Sequence, residues 1–141
     1  MTFVPASRDW TTERYPTKAS VTYTVGAMIY SDNTDNVPVV DATQNNVKGI
    51  LKESKASGTT TTSVSVLVPL SNSSTFFGDM ESGESLTAAN VGDSFDFATG
   101  SGDNLGVTIS TATTYDTVTL VKFLSASKGV FKLNQTYGVE N

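Results

Sequence analysis

The side chains of this chain that could do chemistry are mostly carboxylates, and the most suggestive pair stands in SLTAANVGDSFDF, residues 85–97, where Asp93 and Asp96 are two positions apart from adjacency. Two acids suffice for glycoside hydrolysis when a cleft holds them about 5–9 Å apart. Residues three apart on a strand point to opposite faces, however, so Asp96 lies beside Phe95 and Phe97 but aims away from them. Asp79, Glu81 and Glu84 fall in a turn-rich segment and read as a solvated charge cluster. DNTDN, residues 32–36, begins like a calcium loop, with oxygen ligands at Asp32, Thr34 and Asn36. Val37 then occupies the place of the required glycine and Thr43 that of the twelfth-position glutamate, which leaves an Asx-rich hairpin turn. GSGDNLG, residues 100–106, misses the dinucleotide fingerprint by one glycine spacing and reads as a turn. No enzyme, metal site or cofactor is expected.

The elements missing from the composition exclude more than these motifs suggest. With no histidine and no cysteine, the chain cannot build a Ser-His-Asp or Cys-His centre, an imidazole or thiolate metal site, or a disulfide. The formal net charge of −5 disfavours nucleic acid and anionic membranes as partners. Only 16% of residues are charged, against about 25% in ordinary domains, and Thr, Ser and Asn fill the difference. The N-terminus MTFVPASRDW has no apolar stretch of signal-peptide length, and no segment approaches a membrane span, which predicts a soluble, unprocessed chain. Its 141 residues suit one domain.

Period-two alternation dominates the chain and predicts strands. Val21, Tyr23 and Val25 share one face; Val64, Val66, Val68 and Leu70 share another; Phe95 with Phe97, Val107 with Ile109 and Phe131 with Leu133 continue the pattern. TVTLVKFL, residues 117–124, is more apolar. Its Leu120, Val121, Phe123 and Leu124 suit either a central strand packed on both sides or a subunit interface. Turn clusters separate these runs, so the expected fold is all-β: a small antiparallel β-sandwich or barrel with one short helical turn near Leu86–Asn90 and an extended N-terminal arm. A second helical turn is possible at Asp41–Asn46. In the corner, Leu86 and Val91 would act as apolar pins, Thr87 as an N-cap, Gly92 as the redirecting residue and Asp93 as a cap or turn acceptor.

Residues 1–20 form the predicted arm, 21–134 the core and 135–141 a tail. The arm has two prolines, no sustained alternation and the chain's one tryptophan. Phe3, Trp10 and Tyr15 can fold back over one end of the core. Alternatively, with Arg8 and Arg14, they can anchor another chain, since Trp and Arg are over-represented at binding hot spots.

The series VTYTVGAMIYSDNTDNVPVVDATQNNVKGILKES resembles the first half of tailed-phage capsid decoration (cement) proteins, in which a strand and a glycine precede a polar hairpin, a VPVV-like segment and a "V.GI" motif. SVSVLVPL, TFFGDM and SLTAANVGDSFDF are similar to the later part, and the likeness runs in order over residues 18–133. It implies no catalytic residues, a place on the outer surface of the virion capsid, the major capsid protein as partner, and a trimer. The alternative is a carbohydrate-binding or adhesive β-module. Exposed aromatics in the arm would favour the first, and exposed aromatics in polar loops the second.

Overall fold

The computed structural model describes residues 3–32, 35–39, 47–56, 58, 62–98 and 108–134. These residues are all-β, with one turn of 3-10 helix at Ala88–Asn90. The strands are β1 (Val4–Pro5), β2 (Trp10–Pro16), β3 (Met28–Asp32), β4 (Asp35–Pro38), β5 (Val47–Leu51), β6 (Ser63–Pro69), β7 (Phe76–Asp79), β8 (Ser94–Phe97), β9 (Ile109–Ser110), β10 (Val118–Ser125) and β11 (Lys128–Leu133). One antiparallel sheet has the order β1-β7-β11-β10-β8-β9 and the other β2-β6-β5-β3-β4. The first sheet curls until β9 reaches the end of β7, and the second until its outer strands β2 and β4 meet. Met80 beside β7 bridges Ile109 of β9, and Thr17 beside β2 bridges Asn36 of β4. Curling of this kind shortens the free edges along which chains aggregate.

Alternation sorts the side chains into two cores. Between the sheets lie Met28, Val47 and Ile50 from one and Phe76, Phe97, Leu120 and Phe131 from the other. The far face of the second sheet buries Ile29, Leu51, Val64, Val66 and Val68 under Tyr23. Consecutive residues Ile50 and Leu51 therefore serve opposite cores, which is why β5 is apolar on both faces. Gly49 sits where β5 and β6 press together: a Cβ there would lie 1.9 Å from the Leu67 carbonyl oxygen.

The first twenty residues are extended, as expected, but they are woven into the fold and do not form a free arm. Val4 and Pro5 pair with Phe77 and Phe76, and β2 pairs with β6 from Trp10–Pro69 through Pro16–Ser63. Phe3 is buried, edge-on to Phe76 and Phe97. The sequence hid this because β2 is an edge strand, on which Thr12, Glu13 and Arg14 all meet solvent and the period-two signal fades. The predicted first strand at Val21–Val25 fails for the converse reason. Positive φ at Ser20 (66°) and Gly26 (89°) bends the chain on either side, and only Tyr23 keeps a bridge, to Lys55. Buried Tyr23 donates its hydroxyl hydrogen to the Asn36 carbonyl and accepts the Lys18 N–H. Leu70, expected on the buried face with Val68, is exposed just beyond the end of β6. The helical expectation at Asp41–Asn46, the turn at 100–106, Val107 and the tail 135–141 lie outside the described residues.

β10 is central, between β11 and β8. Its register against β11 slips between Leu120 and Lys122 and again between Phe123 and Ser125, so Val121 and Leu124 are each an extra, bulged residue. The apolar surplus on this strand is thus divided. Leu120 is buried and Phe123 packs against the core, whereas Val121 and Leu124 are exposed by 42% and 41%.

Candidate functional site

In the corner after Leu86 the backbone turns at Gly92, whose φ is +95°. Asn90 accepts the Thr87 N–H through its Oδ1 and donates from Nδ2 to Asp93 Oδ2, holding the 3-10 turn closed. The corner is then fixed to β10: Gly92 N–H donates to the Leu120 carbonyl, and Leu120 N–H to that of Asp93. Leu86 is buried and acts as the expected pin, but Val91 is 48% exposed and does not. The turn is held by hydrogen bonds to β10 and needs no second apolar contact.

Asp93 and Asp96 do not converge. Asp93 is exposed, while Asp96 is buried on the far side of β8 from Phe95 and Phe97. Its Oδ1 accepts the N–H groups of Tyr115 and Asp116, both at 2.8 Å, and its Oδ2 that of Thr114 at 3.1 Å. The Asp96 N–H donates to the Ala112 carbonyl. At the other end of the same loop Glu84 accepts from Ser110 Oγ, from the Thr111 N–H and from Thr111 Oγ1. The Thr111 hydroxyl bond, together with the neighbouring donors, lowers the Glu84 pKa below the usual range. Two carboxylates therefore hold the loop 111–116, in which every residue is exposed.

The residues expected in a docking arm are dispersed. Phe3 belongs to the core. Trp10 is half-buried against the same core and donates its indole N–H to the Thr75 carbonyl at 3.1 Å. Tyr15 packs on the second core and donates to Glu13 Oε2; burial first, then Glu13, pushes its pKa up to about 12. Arg14 is exposed but engaged, with Ser63 and Ser65 on β6 and an ion pair to Glu53 at 3.2 Å. Arg8 is exposed. Just after it, Asp9 accepts from the hydroxyls of Ser7, Ser71 and Ser73 and clamps the β1–β2 bend to the β6–β7 turn. The Ser7 hydroxyl foremost, then those of Ser71 and Ser74, lower its pKa from 3.8 to about 2.

Two surface features stand out, the first on the strand whose apolar surplus the sequence already marks. Val91, Val121 and Leu124 are exposed along β10 and the corner bound to it. Tyr115 is the one exposed aromatic among the described residues. Charge is also unevenly placed. Residues 1–69 carry six cations and six acids, and residues 70–141 carry three and eight, so the whole −5 belongs to the half that supplies five strands of the first sheet. Among the described residues no group of three or more acids could hold a metal ion, and no helix is long and apolar enough to cross a membrane. No protein-family model matches this chain, and no curated protein does so either.

Proposed function

We propose that this is a capsid decoration protein, which binds the exterior of a phage head as a trimer and stabilises contacts between major capsid subunits. The reading rests on the resemblance of residues 18–133. The observation that carries it in the structure is the pair of bulges on β10. The bulges leave Val121 and Leu124 exposed on β10, and Val91 is exposed in the corner bonded to that strand, apolar side chains suited to being covered by another copy. Asp93 and Asp96 have structural partners, in keeping with a binding role. Docking through a free N-terminal arm is not part of this reading, because Phe3, Trp10 and Tyr15 pack within the fold.

The test is co-sedimentation of the purified protein with expanded phage heads lacking decoration, with subunit counting on the heads. Saturable binding in multiples of three is expected, and Leu124→Asp should weaken it while leaving the melting temperature unchanged. Retention on immobilised polysaccharide with no binding to heads would instead support a carbohydrate-binding module. Tyr115 favours that second reading, since it lies in a threonine-rich loop, although one ring offers a sugar only one stacking face.

A further inference from the structure

Exposed loops are ordinarily the mobile part of a fold. The loop 111–116 is exposed throughout, yet three successive N–H groups, from Thr114 to Asp116, converge on the buried carboxylate of Asp96. Its first residue is fixed independently by Glu84, and Ala112 accepts from the Asp96 N–H. Asp116 completes the turn at a φ of 50°, uncommon for a residue other than glycine. The residues it orders belong to neither core, and the one large side chain among them, Tyr115, is 41% exposed. Ordering a loop before binding removes the entropy that binding would otherwise cost, and a rigid tyrosine supplies contact area with few rotamers to freeze.

The surroundings indicate what such a ring would meet. Asp116 adds an exposed carboxylate next to the ring, and Glu81 lies at the loop's other end with Glu84, its N–H donating to the Ile109 carbonyl of β9. Glu84 is held by hydroxyl and amide donors, which leave its negative charge in place. The ion pair Arg14–Glu53, the one found among the described residues, involves none of these acids. We propose that the 111–116 loop is a preorganised docking loop, with Tyr115 as its anchor and acids at both of its ends, for a protein surface bearing Lys or Arg. Charge complementarity selects that partner: acids steer a basic surface inward, and the ring then takes a guanidinium or ammonium group on its face. This rests on the decoration reading, in which the surface is the exterior of a major capsid subunit.

The experiment compares wild type, Tyr115→Ala, Tyr115→Phe and Asp116→Asn for co-sedimentation with undecorated expanded heads at low and high salt. Thermal melting serves as the fold control. Tyr115→Ala should weaken binding by about thirtyfold, the scale of a hot-spot truncation, with its melting temperature within about 2 °C of wild type, as for an exposed side chain. Tyr115→Phe should bind nearly as wild type. Asp116→Asn should lose severalfold and show a shallower dependence on salt. If wild type binds heads and Tyr115→Ala binds equally well, the docking loop is overturned and the decoration reading survives. If wild type does not bind heads, the decoration reading itself fails. Tyr115-dependent retention on immobilised neutral polysaccharide, insensitive to salt, would overturn the basic protein partner.

Discussion

Asp9 shows how much a single half-buried residue can join. Its carboxylate collects three serine hydroxyls from two separate turns, and its backbone carbonyl accepts from Ser74 Oγ. Because its folded pKa lies near 2, below the ordinary 3.8, the group stabilises the fold above about pH 4, and that contribution is lost as pH falls toward 2. Asp9→Ala should cost about 1 kcal/mol at pH 7 and flatten the acid limb of the stability curve between about pH 4 and 2, measured by urea unfolding at stepped pH. Two glycines separate strain from collision. At Gly92 a Cβ would meet no atom within 4 Å, so Gly92→Val should cost only what positive φ costs, about 1–3 kcal/mol. Gly49→Ala should cost more, since its Cβ would collide with the Leu67 carbonyl and push β5 off β6. Equal losses in the two variants, by the same unfolding measurement, would show that the β5–β6 contact relaxes freely.

The legibility of each element followed its burial. Val64, Val66 and Val68 alternate against a core and were readable as a strand; so were Phe95 with Phe97 and Phe131 with Leu133, since burial on one face imposes the period. The "V.GI" stretch has a physical basis too: Val47 and Ile50 enter the main core, and Gly49 permits close strand contact. β2 was missed because an edge strand exposes polar residues on both sides. The Asp96 anchor was missed because its three donors are backbone groups almost twenty residues away, and backbone groups have no sequence signature. The bulges at Val121 and Leu124 depend on a register that no single strand encodes. With β2 recognised as structure, Trp10→Ala should lose about 2–3 kcal/mol through packing and the indole hydrogen bond. Deleting residues 1–17 should prevent folding, since it exposes β6 and removes Phe3 from the core. Thermal unfolding checks both, and a truncated chain that melts cooperatively near the wild-type temperature would restore the free arm.

At the scale of the molecule, the chain divides into a neutral half and an acidic half, with exposed apolar residues along β10 and the hydrogen-bonded Tyr115 loop on the acidic one. Under the proposed reading the apolar residues join copies, the loop meets the capsid, and the fold is a rigid connector between them. A connector of this kind has to do more than bind. It has to raise the resistance of the shell to internal pressure, which mass action permits when it binds the intact lattice better than a separated one. The most direct measurement heats DNA-filled, undecorated expanded heads with and without saturating protein and follows DNA release against temperature. A cementing connector should move release several degrees higher as wild type, and not as Leu124→Asp. Saturated binding that leaves the release temperature where it was would contradict that role.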